Sequence, residues 1–510
     1  MYGEVFLKGD CTDGVFGFKC IILSRIRLPV LCDEMRRYDV IVVGASTTGS
    51  WFAKKIAEKG FRVLMIEKQK KENISKDYDI FHMATKEMET FGLTVPEKND
   101  PDYAFEFVGG AAYSAFGNYP KPSHTHVTGL HKHAYILRMN REAQQVGAEI
   151  EYGASFSGCI FDDGGRIAGI RYQTEDGEKE ALCALVADCS GISAAVRTSL
   201  PDTAAVENFK LTARDLFYVI LYYVRYRDGH PKIEHTDSFL QYKCWSAPSD
   251  DPQGGILGVG ANLSFDYAEE MFGEFRRRVP IAPYTVQKTE KSITPYHRPP
   301  YSMVDDGLLV MGDAACLNKP NNGEGCISAL YQAQIALEVV SEALREGGYL
   351  TKQRLWSINT RYTEEKGKMS CALRAALIGA AAMTEEENEY LFKNDVIFSR
   401  KIMSGLDGGI SLSAGDILHH IRYISKAALD GSLRKEYLKD VYDALKRALA
   451  VYKIYSEYPE TPDGLREWAE KADKIWTEVG SMADKCDRNI LERSGKRKQG
   501  ENTAFPMYSI

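Results

Sequence analysis

The chain has 510 residues, of which 44% are hydrophobic and 26% are charged, and its 64 Lys and Arg residues oppose 71 Asp and Glu residues. This length predicts about two to four domains with a large core, and the net charge of −7 argues against a protein that binds nucleic acid. The 11 cysteines are spread without a C-x-x-C pair, which predicts reduced cytosolic thiols and disfavours an iron–sulfur or zinc-ribbon module.

The N-terminal segment, residues 1–34, shows neither clean periodicity nor helix caps, whereas Met35 leads directly into an apolar strand. We therefore expect Met35 to be the natural start and this segment to be an extension that is not native. The alternative is a short extra strand that covers a sheet edge.

A βαβ unit follows Met35. Residues 40–43 have the pattern of a buried strand, residues 51–59 that of a helix ended by Gly60, and residues 62–66 that of a second buried strand. Two strands joined by a helix run parallel, so this unit predicts a parallel sheet.

The turn between that strand and helix has the spacing of a dinucleotide fingerprint. Gly44 permits a tight turn, Gly49 lets helix and strand pack closely, and the helix N-terminus offers N–H groups to a pyrophosphate. Ser46 replaces the usual middle glycine, and Thr48 completes the loop that we expect to bind the cofactor. Glu67, at the end of the second strand, can accept hydrogen bonds from an adenosine ribose and would repel a 2′-phosphate.

The remaining elements divide into three kinds. A helix near residues 135–147 precedes three alternating segments near Glu149, Ile167 and Ala181, which predicts a β-meander. Residues 200–295 are rich in aromatic residues and strand patterns, as expected of a sheet-based domain. A long helix is predicted from Cys326 to Glu346, and the signal beyond residue 350 is helical almost throughout.

Two segments resemble later signatures of glutathione-reductase-like flavoproteins related to aromatic hydroxylases, flavin halogenases and geranylgeranyl reductases. The residues that carry the resemblance are Asp188 and Gly191 in the first segment, and Gly312, Asp313, Pro320, Gly323 and Gly325 in the second. The resemblance covers about residues 36–360 and is closest to the geranylgeranyl reductases. It implies FAD as the cofactor.

By this resemblance, Asp313 holds the ribityl hydroxyls of FAD, and the loop from Pro320 to Gly325 lays backbone N–H groups at the pyrimidine end of the isoalloxazine. A helix N-terminus there can stabilise the anionic reduced flavin. Arg138 matches an arginine that this group of proteins places near FAD. A surface or ion-pairing role is the alternative for Arg138.

A further segment resembles a decayed substrate motif of the geranylgeranyl reductases. Trp245, Pro248 and the later Gly258-Val-Gly260 are in place, whereas the leading aromatic is displaced to Tyr242 and Lys243 stands in its slot. The resemblance implies that Trp245 lines an apolar cavity over the flavin. The alternative is that these are core residues of an antiparallel sheet. Tyr242 or Cys244 could supply a proton if its side chain faces the flavin.

Two other patterns have competing interpretations. The pairs His124-Thr-His126 and His131-Lys-His133 could ligate a metal, but a polar loop or a substrate-entry segment is favoured, and we expect no metal. The apolar stretch 371–383 could lie on a bilayer or form a buried helix. No apolar run reaches the roughly 18 residues of a membrane span, so we expect a cytoplasmic protein with at most peripheral membrane contact.

These patterns predict an α/β fold, α+β overall, with a Rossmann-type FAD-binding domain that carries a β-meander, a β-rich substrate domain and a C-terminal helical region. The FAD-binding domain is expected to be discontinuous, over residues 35–100, 126–200 and 296–360. The β-rich domain is expected over residues 101–125 and 201–295, the helical region over 361–490 and a polar tail over 491–510.

The leading hypothesis is an FAD-dependent oxidoreductase that reduces C=C bonds of an isoprenoid or another apolar substrate, a small molecule or a lipid. The alternatives are a single-component flavin monooxygenase or halogenase relative, and a non-catalytic binding protein of the same fold. No second strand–GxGxxG–helix unit follows the first. We therefore expect a transient electron donor, either NAD(P)H or a reduced protein of the ferredoxin or flavodoxin type.

Overall fold

The computed structural model describes residues 36–76, 79–227, 235–238, 242–279, 281–380, 383–396 and 414–493. The predicted extension, residues 1–34, and most of the predicted polar tail lie outside the described residues. The described part of the chain forms two eight-stranded sheets and a group of C-terminal helices. This confirms the predicted combination of a Rossmann-type sheet, a β-rich sheet and a helical region.

Strands and helices are numbered along the chain. The strands are β1 (Arg36–Val43), β2 (Val63–Glu67), β3 (Ile80–Ala84), β4 (Tyr103–Tyr113), β5 (Lys121–His131), β6 (Glu149–Tyr152), β7 (Ser155–Phe161), β8 (Ile167–Thr174), β9 (Gly177–Asp188), β10 (Leu216–Tyr226), β11 (His235–Ser238), β12 (Tyr242–Ala247), β13 (Gly254–Ala261), β14 (Tyr284–Pro295), β15 (Val304–Asp305) and β16 (Leu308–Val310). The helices are α1 (Thr47–Glu58), α2 (Thr85–Thr90), α3 (Lys132–Gln145), α4 (Phe265–Arg278), α5 (Cys326–Glu346), α6 (Lys352–Leu355), α7 (Ser357–Tyr362), α8 (Lys368–Ala380), α9 (Glu385–Lys393), α10 (Ala414–Asp430), α11 (Lys435–Ser456) and α12 (Leu465–Arg493).

The first sheet contains the predicted βαβ unit. Its strands follow the order β15–β16–β9–β1–β2–β6, and the meander β7–β8–β9 extends it. Strand β1 pairs in parallel with β2, with Val40 opposite Val63, and with β9. Residues 40–43 are buried on both faces because α1, α3 and α5 cover one face and the meander packs near the other. Continuous apolar runs are typical of such doubly covered parallel strands.

The second sheet follows the order β14–β10–β13–β12–β11–β4–β5–β3. One of its faces packs on α4, where Phe272 and Phe275 join Tyr218 and Val259 in a single buried cluster. Helix α4 begins where it does because the Ser264 hydroxyl accepts a hydrogen bond from the Tyr267 N–H group, 3.1 Å away. The other face of this sheet carries a second buried apolar cluster, which includes Phe105, Leu221 and Ile256.

Two segments that the sequence predicts to belong to the FAD-binding domain are part of the second sheet. Strand β3, residues 80–84, pairs antiparallel with β5, so that Ile80 lies opposite His131 and Ala84 opposite Val127. Residues 126–131 belong to β5 and to the same sheet. A strand as short as β3 carries too little pattern to say which sheet it joins, and the predicted domain boundaries stay a prediction.

The C-terminal helices pack chiefly on one another. Cys371 and Ala375 of α8 are buried against Val451 of α11 and against Trp468 and Ala472 of α12. The buried-helix interpretation is therefore confirmed for this half of the apolar stretch 371–383. Among the described residues, no helix is both long and apolar enough to cross a membrane.

Candidate functional site

Two glycines, one in the turn after β1 and one in the first turn of α1, cannot be replaced without a clash. The φ angle of Gly44 is +105°, and a Cβ atom there would lie 2.3 Å from the carbonyl oxygen of Cys189. A Cβ atom on Gly49 would lie 2.0 Å from the carbonyl oxygen of Gly44. Only glycine allows this close approach of two backbone segments.

The N-terminus of α1 has the properties of an anion site. Within the described residues, its N-cap Ser46 makes no side-chain hydrogen bond to the helix, and the first turn holds no acidic residue. The unsatisfied N–H groups and the helix dipole there suit a pyrophosphate. Thr48, in the same turn, lies against Gly312, since a Cβ atom on Gly312 would be 3.2 Å from the Thr48 Oγ1 atom. The first and last of the predicted FAD segments therefore meet here.

Glu67 stands at the end of β2, as the fingerprint predicts. Its carboxylate accepts hydrogen bonds from the N–H groups of Ala45, at 3.0 Å, and Gln69, at 2.9 Å. The side chain thus ties the strand end to the phosphate loop. Each carboxylate oxygen can accept more than one hydrogen bond, so the same group can also accept ribose hydroxyls.

Asp188 organises the loop that follows β9. Its buried carboxylate accepts hydrogen bonds from the N–H and hydroxyl groups of Ser190 and from the N–H group of Arg197, at 2.6–3.0 Å. Gly191, with a φ angle of +71°, allows the loop to turn. The Arg197 side chain donates to the carbonyl of Ala314, 2.8 Å away, which links this loop to the Asp313 segment.

Asp313 lies in a polar recess at the start of α5. Burial raises the pKa of its carboxyl, while the charge of Lys132 and a hydrogen bond from Asn318 lower it. A Cβ atom on Gly325 would lie 3.3 Å from the Asp313 Oδ1 atom and 2.8 Å from the Asn318 Nδ2 atom. Among the described residues, the Asn318 Oδ1 atom is buried and has no hydrogen-bond partner, which is the kind of group that a bound cofactor satisfies.

The loop before α5 differs from the expectation in one respect. Its Pro320 carbonyl accepts a hydrogen bond from the Tyr296 hydroxyl at 3.4 Å, and Gly323 adopts a φ angle of +72°. However, the Glu324 carboxylate accepts hydrogen bonds from the N–H groups of Ile327, at 2.6 Å, and Ser328, at 3.1 Å. Two of the helix N–H groups expected to face the flavin are therefore capped by Glu324, and burial raises the pKa of this carboxyl.

Arg138 is held by carboxylates. Its guanidinium donates two hydrogen bonds to Asp102, at 2.6 and 2.7 Å, and lies 2.9 Å from an Asp100 oxygen. Asp102 is buried, so this bidentate pair is a strong one. The geometry matches the ion-pairing alternative, and a role of Arg138 toward FAD stays a prediction.

The face of the second sheet opposite α4 carries Trp245. Its indole lies directly on the backbone of β13, because a Cβ atom on Gly258 would be 2.3 Å from the Trp245 Cε2 atom. A Cβ atom on Gly260 would keep an ordinary contact, 4.0 Å from the same indole and 3.7 Å from Phe217. Phe105, Leu221 and other buried apolar side chains pack around the indole, which agrees with the alternative that these are core residues of the sheet. We call this surface the Trp245 face.

Two titratable groups border the Trp245 face. The Lys243 Nζ atom lies 5.2 Å from the centre of the Trp245 ring. Desolvation by the surrounding protein, reinforced by the charge of Lys243, lowers the pKa of His82, on β3, to about 4. The His82 side chain is itself exposed to solvent. Sequence reasoning missed His82, since one histidine in a short strand gives no signal.

The other residues of the motif are placed differently. Cys244 is fully buried in the cluster under α4, and its Sγ atom lies 3.9 Å from the Met271 carbonyl oxygen. Cys244 therefore lies on the opposite side of β12 from Trp245, because alternate residues of a strand face opposite sides, and its role as a proton donor stays a prediction. Tyr242 begins β12, but its side chain lies outside the described residues. Pro248 follows the strand at its end.

The histidines of the two predicted pairs contact different groups. His131 lies 3.6 Å from Asp79 and 3.7 Å from Asp250, and His133 forms a hydrogen bond of 2.6 Å with the carbonyl of Ile74. The side chain of His124 falls outside the described part. Within the described ranges, no group of three His, Cys, Asp or Glu residues is arranged to hold a metal.

Comparisons with known proteins agree with this geometry. Residues 37–224 match the family described as FAD binding domain. The chain is 21% identical over 456 residues to the digeranylgeranylglycerophospholipid reductase of Sulfolobus acidocaldarius. The aligned region covers 87% of this chain and 98% of that protein. A Methanopyrus kandleri protein of the same name, reductase 2, is 26% identical over 376 residues, which is 71% of this chain and 92% of that one.

This chain is an FAD-dependent oxidoreductase. It is distantly related to the geranylgeranyl lipid reductases. Among solved structures, it resembles a geranylgeranyl bacteriochlorophyll reductase-like protein from Thermoplasma acidophilum, with a TM-score of 0.64 and 17% identity over 80% of this chain and 100% of that one. A flavin-dependent brominase gives a TM-score of 0.58 and 16% identity, with 77% of this chain and 100% of that chain covered. These likenesses confirm the predicted fold.

The residues present fit FAD. The glycine turn and free α1 N-terminus suit its pyrophosphate, Glu67 suits its adenosine ribose, and the recess at Asp313 and Asn318 offers a carboxyl and an unpartnered amide oxygen. The sequence predicts that the cofactor is bound by Gly44, Ser46, Thr48 and Gly49 together with the later segments. This assignment stays a prediction.

The oxidoreductase has a further cavity of about 290 Å³ between the second sheet and the C-terminal helices. Phe217 and Tyr296 form one wall, Arg374 of α8 another, and Trp476 and Asp487 of α12 a third. The rings of Phe217 and Tyr296 are 4.6 Å apart. Since Phe217 also approaches Gly260 on the Trp245 face, the cavity adjoins that face.

Asp487 makes the stability of the oxidoreductase depend on pH. Burial raises the pKa of Asp487 to about 6, opposed by Arg214 and reinforced by Asp484, against about 3.9 in an unfolded chain. The folded state binds more protons between these values, so stability falls as pH rises through this window. We expect Asp487→Asn to raise the unfolding free energy by about 1–2 kcal/mol at pH 7.5 and by little at pH 4.

Thermal unfolding of both proteins across this pH range measures the difference. A constant gap between wild type and Asp487→Asn at every pH would show that the Asp487 carboxyl titrates normally.

Proposed function

We propose that this oxidoreductase reduces C=C bonds of an isoprenoid or another apolar substrate by hydride transfer from the reduced flavin. The observation that carries the proposal is the Trp245 face, where the indole packs on Gly258 within a cluster of apolar side chains. A face of this kind suits a long hydrocarbon better than a polar metabolite. The distant relatives named as digeranylgeranylglycerophospholipid reductases support the same substrate class.

Bound FAD, once reduced by the electron donor, would supply the hydride, and residues of the chain would bind the substrate and supply the proton. Trp245, Leu221 and Phe105 hold the hydrocarbon and exclude water from the region of hydride transfer. The Lys243 Nζ atom lies 5.2 Å from the centre of the Trp245 ring, where it can donate the proton needed at the second carbon. His82 is neutral near pH 7 because its pKa is about 4, so it adds no positive charge there.

The partners follow from this chemistry. Electrons come from a transient donor, NAD(P)H or a reduced protein of the ferredoxin or flavodoxin type, as the sequence predicts. A lipid substrate reaches the protein from a membrane surface. Helix α11 supports such a contact, since its exposed residues Tyr442, Leu445 and Leu449 recur at helical spacing on one face.

The proposal is tested by the mass of the product. Holoenzyme reduced with dithionite under argon is incubated with geranylgeranyl diphosphate or a digeranylgeranyl phospholipid, and the lipids are analysed by mass spectrometry. We expect a gain of two hydrogen atoms for each bond reduced. A substrate that is unchanged under argon but gains an oxygen atom in air would contradict the proposal and favour the monooxygenase alternative.

A further inference from the structure

A carboxylate caps the N-terminus of helix α5 and is held there firmly. The Glu324 side chain accepts hydrogen bonds from the N–H groups of Ile327, at 2.6 Å, and Ser328, at 3.1 Å. Its backbone carbonyl oxygen accepts from the Ser328 hydroxyl at 2.8 Å and from the Lys319 N–H group at 2.9 Å. The carboxylate therefore has a fixed position over the first turn of α5.

This carboxylate lies next to the parts of the fold that fit FAD. Gly325, the following residue, borders the recess at Asp313, since a Cβ atom there would lie 3.3 Å from the Asp313 Oδ1 atom. The Sγ atom of Cys326 lies 3.9 Å from the Thr47 Oγ1 atom, in the first turn of α1. Residues 324–326 thus run between the recess and the phosphate turn.

The charges at this end of α5 do not add up to a positive site. The Lys319 Nζ atom lies 3.7 Å from Glu324 and 3.9 Å from Glu87, so that one cation is shared by two carboxylates. A helix N-terminus carries about half a positive charge, which the full charge of one carboxylate exceeds. Burial raises the pKa of the Glu324 carboxyl, whereas Lys319 and the two N–H groups of the helix lower it.

We propose that Glu324 lowers the reduction potential of the bound FAD. Reduction can leave a negative charge on the pyrimidine ring of a flavin, and a helix N-terminus stabilises such a charge. Here the carboxylate takes up two N–H groups and cancels the helix dipole, so that the anionic reduced flavin loses this support. Across the recess, the charge of Lys132 already opposes that of Asp313. The reduced cofactor therefore gives up its electrons more readily.

The inference goes beyond the proposed function, because it concerns the cofactor and holds for any substrate. Its test is the reduction potential of the holoenzyme, measured against a reference dye at pH 8.5 to keep the carboxyl ionised. We expect Glu324→Gln to stabilise reduced relative to oxidised flavin about tenfold, which raises the potential of a two-electron couple by about 30 mV. Glu324→Ala, which also frees both N–H groups, should raise it at least as far.

The affinity of the oxidised holoenzyme for sulfite gives a second readout. Sulfite adds to oxidised flavin and leaves a negative charge on the same ring, so both variants should bind it more tightly than wild type. The matched control is Glu342→Gln, an exposed glutamate of the same helix that lies about 27 Å further along its axis. This variant should match wild type in both measurements.

The inference is overturned if Glu324→Gln and Glu324→Ala leave the potential and the sulfite affinity unchanged or lower them. It also fails if Glu342→Gln shifts both quantities equally, or if neither Glu324 variant retains FAD, since Glu324 would then be only a structural cap. The proposed function is judged separately. A raised potential in a protein that reduces no prenyl compound would uphold this inference and refute the proposed function.

Discussion

Replacing Gly44 with alanine is expected to give a protein that no longer retains FAD. The new Cβ atom would lie 2.3 Å from the Cys189 carbonyl oxygen, in a backbone with a φ angle of +105°. Neither backbone segment can yield, since β1 and β9 are paired directly before this turn. The strain alone is about 1–3 kcal/mol, and displacement of the loop removes the N–H groups from the pyrophosphate. We expect at least a hundredfold weaker binding, roughly 3 kcal/mol.

The flavin content of the purified protein and a titration of apoprotein with FAD measure this effect. Gly60→Ala is the matched control, since Gly60 also has a positive φ angle, +89°, but a Cβ atom there meets nothing within 4 Å. It should cost about 1 kcal/mol of stability and leave FAD binding intact. Equal flavin content in both variants would show that the turn after β1 does not hold the cofactor.

The second large effect is expected at Gly258, on the Trp245 face. Alanine there would place a Cβ atom 2.3 Å from the Trp245 Cε2 atom and 2.9 Å from Leu221. The indole must lift off β13 and enter the space proposed for the substrate. A displacement of about 1 Å at a positioned group can cost a hundredfold in rate. We therefore expect kcat/KM for a prenyl substrate to fall about a hundredfold while FAD stays bound.

The chain offers a matched control on the same strand. A Cβ atom on Gly260 would come no closer than 3.7 Å to any side chain, which is ordinary van der Waals contact. Gly260→Ala should therefore retain most of the wild-type activity. If both alanine variants turn over the substrate as wild type does, the position of the Trp245 indole has no bearing on catalysis.

The sequence predicted the elements whose pattern is local. The βαβ unit follows from two continuous apolar strands and a glycine turn, and the helix from Cys326 to Glu346 has the predicted bounds. The spacing of Trp245 and Gly258 in the sequence also marked two residues that meet in the fold, because adjacent strands place the indole on the glycine. Each of these features depends on neighbours along the chain or on one strand pairing.

Features that depend on distant contacts could not be predicted. Arg374 lies in an apolar stretch of the sequence, and its stacking on the Tyr296 ring joins two residues that are far apart in the chain. His82 depends in the same way on Lys243, which belongs to a strand far later in the chain. The Glu324 cap on α5 is a local interaction, but a glutamate before a helix is equally typical of an exposed loop residue. Only the fold shows which groups are buried and unpaired.

The most direct test of hydride transfer to a double bond is the rate at which reduced flavin reoxidises under argon. Reduced holoenzyme is mixed anaerobically with geranylgeranyl diphosphate, or with its fully saturated analogue, and flavin absorbance is followed in a stopped-flow instrument. We expect rapid reoxidation with the unsaturated compound and none with the saturated one, since only the former can accept a hydride. Reoxidation that requires oxygen and ignores the prenyl compound would contradict the account.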